Sequence, residues 1–120
     1  MKLYNNFFTI IEQNGNDFLI KLNVNHCIYN AHFPENPITP GVLLIQITCE
    51  LLEMLTNCKL FLQKIRNVKF TAVVNPELTD NIHFVFSAPE ETAAHCNAAV
   101  EIRNENTVFA KMNANFLKII

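Results

Sequence analysis

The segment from His32 to Leu43 carries the residues of this chain that are best suited to chemistry: one histidine, three regularly spaced prolines and a Pro-Gly pair. Pro34, Pro37 and Pro40 recur at every third position. Each proline ring fixes its own φ and pushes the preceding residue out of the helical region, so the segment is predicted to be extended. The sequence therefore predicts a stiff arm that carries a histidine and leads into a helix.

The end of this arm predicts a helix start that can bind a carbonyl oxygen. Thr39 is expected as the N-cap and Pro40 as the first helical residue. Gly41 follows and has no side chain to screen the backbone. Free N–H groups at the positive end of a helix dipole suit a carbonyl oxygen or a developing oxyanion. The alternative is a proline-rich loop that merely enters a helix, with a surface histidine upstream.

Length and composition exclude several classes of protein. A chain of 120 residues is expected to form one domain, residues 1–120, with a single modest core. Half of the residues are hydrophobic and only 17% are charged, which predicts that part of the apolar surface is buried against a second copy. A net charge of −2 gives no electrostatic case for binding nucleic acid or an anionic membrane. No aliphatic run is long enough to span a bilayer.

The cysteines indicate a reducing compartment. None of the four forms a C-x-x-C pair, and their neighbours are hydrophobic, so we expect small buried thiols of a cytoplasmic protein rather than disulfides or zinc ligands. The histidines likewise show no metal-ligand spacing. The sequence therefore predicts no metal and no cofactor. The cysteines are Cys27, Cys49, Cys58 and Cys96.

The rest of the chain predicts an α+β fold in which an antiparallel sheet surrounds one long helix. Residues 7–12 and 17–24 flank Asn14-Gly15, the strongest short hairpin signal. One helix is predicted at Pro40–Asn57, followed by four strands. The predicted strands are Ile65–Val74, Asn81–Ala88, Ala93–Arg103 and Thr107–Leu117.

The predicted helix is apolar around nearly its whole circumference, which is typical of a buried helix. Its polar side chains fall in one stripe about 60° wide. The stripe consists of Gln46, Glu50, Glu53 and Asn57. It is either a thin solvent-facing edge or the wall of a buried site.

The proline arm resembles the signature of the hotdog-fold 3-hydroxyacyl-acyl-carrier-protein dehydratases of fatty-acid synthesis. That signature is similar to H-F-P-x-x-P-x-x-P-G-V-L followed by an acidic residue. The matching residues are His32-Phe33-Pro34, Pro37 and Pro40-Gly41-Val42-Leu43. The later stretch Ile65–Pro76 is similar to the family's strand that ends in P-V-x-P-G-D, although Pro76-Glu77-Leu78 replaces the Pro-Gly-Asp turn.

The resemblance implies a hotdog fold, a dimer with a continuous sheet, and active sites between the subunits. It implies that His32 removes the proton α to a thioester carbonyl and that backbone N–H groups near the Pro-Gly turn polarise that carbonyl. The substrate would be carried by an acyl carrier protein or by CoA. The substrate-binding residues implied are Phe33, Pro40, Gly41 and Val42.

The chain departs from the resemblance at the position of the acid. The family's acid would stand at position 46, where this chain has Gln46, and Glu50 stands where the family commonly has Gln. An amide can hold the hydroxyl but cannot hand over a proton, and losing a general acid costs about 10²- to 10⁴-fold in rate. Glu50 is either the displaced acid or a solvated or ion-paired carboxylate.

Three functions remain open from the sequence. The first is the dehydratase, with His32 and either Gln46 or Glu50 as its catalytic residues. The second is a hotdog thioesterase, in which Glu50 beside Gln46 orients water. The third is a non-catalytic protein that binds an acyl chain or an acyl carrier protein. A basic cluster after the helix would suit an acidic carrier, although such residues are usually a solvated rim. The cluster is Lys59, Lys64, Arg66 and Lys69.

Overall fold

The computed structural model describes residues 2–31 and 35–119, which form seven strands and two helices. The N-terminal elements are β1 (Phe8–Asn14), β2 (Asp17–Leu22) and the short helix α1 (Cys27–Ala31). The long helix α2 (Gly41–Thr56) follows. The remaining strands are β3 (Lys59–Phe70), β4 (Asn81–Phe86), β5 (Glu90–Glu91), β6 (His95–Arg103) and β7 (Val108–Ile119).

The strands form one antiparallel sheet in the order β1-β2-β4-β6-β7-β3, and β5 pairs with β6. Side chains alternate between buried and outward positions along β2, β4 and β6, because successive residues of a strand point to opposite faces. The buried faces of these strands join one core with α2. The predicted α+β plan, an antiparallel sheet around one long helix, is confirmed.

The N-terminal hairpin forms as predicted, with its turn displaced by one residue. Asn14 pairs with Asp17, so the two turn residues are Gly15 and Asn16 rather than Asn14 and Gly15. Gly15 adopts a φ of +58°, a conformation in which a side chain is strained. The glycine therefore allows the sharp reversal between β1 and β2.

Helix α2 coincides with the predicted helix once its caps are counted. Pro40 is the N-cap, with φ −59° and ψ 141°, and Asn57 is the left-handed C-cap, whose N–H donates to the Glu53 carbonyl oxygen. Leu51 and Leu52 lie about 100° apart around the helix and are both completely buried. A helix that buries adjacent residues has the core on more than one side, as the sequence predicts.

Strand β3 begins and ends earlier than predicted. It spans Lys59–Phe70, whereas Ile65–Val74 was expected. The chain leaves the ladder after Phe70, where the N–H groups of Thr71 and Ala72 both bond to the Phe109 carbonyl oxygen. The start of β3 was missed because β3 lies at the sheet edge and none of its residues is fully buried, so no buried face imposes an alternating pattern on the sequence.

The expectation of four buried cysteines is wrong for three of them. Only Cys96 is buried; Cys49 and Cys58 are half-buried and Cys27 is exposed. All four are free thiols. Among the described residues, no helix is both long and apolar enough to cross a membrane.

Shortening a buried side chain of α2 tests whether the core surrounds the helix as described. Leu52→Ala is expected to lower the free energy of unfolding by about 2–5 kcal/mol, because it leaves a cavity in the core. Met54→Ala on the same helix, where the side chain is 39% exposed, should cost about 1 kcal/mol or less. Urea denaturation at one protein concentration measures both variants. Equal losses would show that α2 is not enclosed as described.

Candidate functional site

The start of α2 is held by a contact that the sequence does not predict. The Thr39 hydroxyl lies 2.9 Å from the Tyr29 hydroxyl, and both side chains are buried. Thr39 is therefore not the N-cap; Pro40 occupies that position, without a side-chain cap bond, and is not the first helical residue. Burial raises the pKa of Tyr29, and the Thr39 hydrogen bond opposes that shift. The pair attaches α1 to the residue that precedes the helix.

The first two N–H groups of α2 fit the predicted carbonyl-binding role. The N–H groups of Leu43 and Leu44 bond to the Pro40 carbonyl oxygen, at 3.0 and 3.4 Å. Within the part of the chain that the structure describes, the N–H groups of Gly41 and Val42 contact no acceptor. Helix N-termini leave such donors for a ligand or for water. His32 and Phe33 lie outside the described residues, so their predicted roles remain predictions.

Phe70, at the end of β3, lies against the start of α2. A Cβ at position 41 would stand 2.7 Å from Cζ of Phe70 and 3.0 Å from its Cε1. The ring is 49% exposed on its other side. A side chain at position 41 would therefore have to displace the Phe70 ring.

Glu50 is buried and accepts four hydrogen bonds. It is 5% exposed. The Leu3 N–H donates to Oε1 and Oε2 at 3.0 and 2.8 Å, and the Tyr4 N–H donates to Oε1 at 2.9 Å. The third donor is Nε2 of Gln46, 2.8 Å from Oε2. Each of these contacts is donated by an N–H group to a carboxyl oxygen of Glu50. Glu50 is therefore not the solvated carboxylate of the simpler alternative.

Gln46 and Glu50 are brought into direct contact because residues four apart lie on the same helix face. The whole predicted stripe lines one groove of about 470 Å³, together with Lys2, Met54, Cys58 and Lys59. Glu53 also belongs to the stripe, and its carboxylate accepts the Leu60 N–H at 2.8 Å. The stripe is thus the wall of a groove.

Neither a reactive thiol nor a metal-binding cluster accompanies α2 in the described part of the chain. Burial, followed by the charges of Glu53 and Glu50, raises the pKa of Cys49 to about 11. The thiol therefore stays protonated at neutral pH and is a poor nucleophile. Across residues 2–31 and 35–119, no group of three or more His, Cys, Asp or Glu side chains could hold a metal ion.

Sequence reasoning missed three parts of this region. The backbone of Leu3 and Tyr4, which binds Glu50, carries no local signal, since any residue has an N–H. The Tyr29–Thr39 contact joins residues ten positions apart through a loop whose path the sequence does not reveal. Phe70 could have been found from Gly41, because a glycine at a helix start indicates that something approaches the backbone closely.

Comparison with known proteins identifies the family. A family model described as "ApeI-like: ApeI dehydratase" matches residues 10–112. This chain belongs to the ApeI-like dehydratase family. It is also 31% identical, over 99 residues, to the 3-hydroxyacyl-acyl-carrier-protein dehydratase FabZ of Rickettsia canadensis, with 76% of this chain and 69% of that protein covered. The FabZ of Rickettsia massiliae is 29% identical with similar coverage. The predicted dehydratase family and enzyme class, a hydro-lyase, are confirmed.

Solved structures of low sequence identity share the fold. The dehydratase heterocomplex ApeI:P from Xenorhabdus doucetiae aligns with a TM-score of 0.60 at 15% identity, covering 88% of this chain and 91% of that one. A hypothetical thioesterase with coenzyme A from Streptococcus pneumoniae aligns with a TM-score of 0.66 at 9% identity, covering 93% and 85%. The predicted hotdog fold is confirmed.

The packing of Phe70 on Gly41 predicts a dependence between the two positions. Gly41→Ala gains helix propensity of about 1 kcal/mol but places its methyl group against the ring. In the Phe70→Ala background the methyl group meets no ring, so the substitution should be more favourable there by about 1 kcal/mol. Urea denaturation of the two single variants and the double variant measures this difference. Identical effects in both backgrounds would show that the ring does not rest on Gly41.

Proposed function

We propose that this protein removes water from a 3-hydroxyacyl thioester to give the enoyl thioester. The observation that carries the proposal is the dehydratase family match over residues 10–112, which includes both the proline arm and α2. The Gly41 and Val42 N–H groups, without an acceptor in the described chain, support it because the thioester carbonyl needs such donors.

In the proposed reaction the imidazole of His32 takes the proton on the carbon next to the thioester carbonyl. The N–H groups of Gly41 and Val42 stabilise the negative charge that develops on the carbonyl oxygen. The Gln46 amide holds the 3-hydroxyl, with Glu50 bound to it at 2.8 Å. Phe33 and Pro40 are assigned to substrate binding in this proposal. No metal or cofactor takes part.

The thioester carrier in this proposal is an acyl carrier protein. The basic residues that the sequence offers for an acidic carrier all lie exposed on β3. Their charge would raise the rate of encounter with an acidic partner more than the final affinity. The Rickettsia relatives are named for acyl-carrier-protein substrates, and the pneumococcal structure for coenzyme A. Comparing kcat/KM for the same acyl group on both carriers distinguishes them.

His32→Ala is expected to lower dehydratase activity by at least about 10²-fold, because it removes the base. The assay follows the ultraviolet absorbance of the conjugated enoyl thioester, starting from either side of the equilibrium. His95→Ala is the matched control, since His95 is exposed on β6. Wild-type turnover in the His32 variant would contradict the proposal, and release of free carrier thiol by the wild type would identify a thioesterase.

We infer that the protein is a cytoplasmic homodimer that pairs through β3. This strand is 12 residues long and lies at the edge of the sheet, so its outer backbone groups have no partner strand in the described chain. Phe61, Ile65 and Phe70 expose 36–58% of their surface there. A second copy paired antiparallel would cover both the backbone groups and these side chains.

Ile65→Asp tests this pairing. Full-length antiparallel pairing of two copies of β3 places the two-fold axis near Ile65, where the substitution would remove an apolar side chain from the centre of the interface and place a charge there. We expect the dimer dissociation constant to rise by at least about tenfold, measured by sedimentation equilibrium. Leu78→Asp, an apolar position that is 84% exposed and outside the strands, should leave it unchanged. A monomeric wild type would contradict the homodimer.

A further inference from the structure

The hydroxyl pair of Tyr29 and Thr39 fixes the chain directly before the N–H groups that begin α2. The two oxygen atoms lie 2.9 Å apart, and both side chains are buried. The main chain of Thr39 is fixed as well, because its N–H donates to the Val74 carbonyl oxygen at 2.8 Å. Thr39 is therefore bound through both its main chain and its side chain, two residues before Gly41.

Tyr29 is held in place by contacts that do not involve its hydroxyl. Its ring stacks on Phe7, which is completely buried, with the ring centroids 5.5 Å apart and the planes at 26°. The N–H of Tyr29 donates to the His26 carbonyl oxygen at 3.1 Å. The packing of the ring thus directs the hydroxyl at Thr39, and removing the hydroxyl alone leaves these contacts in place.

This attachment takes the place of a side-chain cap on α2. A side-chain cap would accept one of the first N–H groups of the helix. Pro40 offers no such acceptor, and the Thr39 hydroxyl is paired with Tyr29 instead. The start of the helix is thus fixed from outside, while the N–H groups of Gly41 and Val42 contact no acceptor in the described part of the chain.

We propose that Tyr29 is a positioning residue of the carbonyl-binding site: through Thr39 it holds the start of α2 so that the N–H groups of Gly41 and Val42 meet the thioester carbonyl oxygen. This inference rests on the proposed function. Negative charge grows on that oxygen only as the reaction proceeds, so well-placed donors stabilise the transition state more than the bound substrate. Loss of the Tyr29 hydroxyl should therefore lower kcat more than it raises KM.

The kinetic test is a double-mutant cycle between the two hydroxyl groups. Tyr29→Phe and Thr39→Val each remove one hydroxyl and keep the shape of the side chain, and each is expected to lower kcat about tenfold. The double variant should lie within about twofold of either single variant, because the same contact is already lost. KM should change by less than about twofold throughout. Thr39→Ser, which keeps a hydroxyl, should retain at least about half of the wild-type kcat.

Thr48→Val is the matched control for the loss of a buried hydroxyl. The Thr48 hydroxyl is buried in the same helix, about two turns from its start, and donates to the Leu44 carbonyl oxygen at 2.9 Å. This variant should keep the wild-type kcat at a temperature where urea denaturation shows every variant to be folded. An equal loss of kcat in Thr48→Val, or losses that multiply in the double variant, would overturn the proposal.

The position of the donors can be measured independently of activity. The chain has only two glycines, so labelling with ¹⁵N-glycine gives one NMR amide signal for Gly41 and one for Gly15, which lies in the β1–β2 turn. Tyr29→Phe and Thr39→Val should shift the Gly41 signal and leave the Gly15 signal in place, and Thr48→Val should shift neither. An unshifted Gly41 signal in an active enzyme overturns the positioning role alone. A wild type without dehydratase activity overturns the proposed function, and the positioning role with it.

Discussion

The enclosure of helix α2 is the constraint on which the other features depend. A helix with apolar side chains around nearly its whole surface is stable in water only when other elements cover it. The inward faces of β2, β4, β6 and β7 share one hydrophobic core with the buried residues of the helix. The polar stripe is the side that the core does not cover, and the groove follows it. The position of the candidate site is thus a consequence of how the helix is buried.

Because Glu50 is buried, its carboxyl oxygens need hydrogen-bond donors from the protein, and residues 3–4 near the N-terminus supply them. A carboxylate that is 5% exposed is costly unless hydrogen bonds replace its water. The backbone N–H groups of Leu3 and Tyr4 provide that replacement. Leu3 itself is buried in the core, so one short segment both covers the helix and satisfies its charge. Hydrogen bonds to an ionised group are the stronger kind, which makes this a firm attachment.

The parts of the fold that follow from local pattern could be predicted, and those that follow from long-range contacts could not. Alternation along residues 81–86 and 95–103 identified the central strands, and the apolar circumference identified the buried helix. The start of β3 was missed because an edge strand has no buried face to impose alternation. In the site, residue types and spacing indicated Gly41, Gln46 and Glu50. They did not indicate that Glu50 would bind the backbone of the N-terminal segment, because N–H donors belong to every residue except proline.

The order of amide and carboxyl along α2, Gln46 followed by Glu50, has a physical consequence that neither residue has alone. A carboxylate at position 46 would stand one helical turn before Glu50, close enough for the two charges to repel. An amide there instead donates to Glu50 and stabilises it. A neutral donor at position 46 therefore adds to the backbone N–H groups that satisfy the buried carboxylate at position 50. The hydrogen bond from Gln46 thus contributes to satisfying Glu50 in the interior and joins two polar side chains that line the groove.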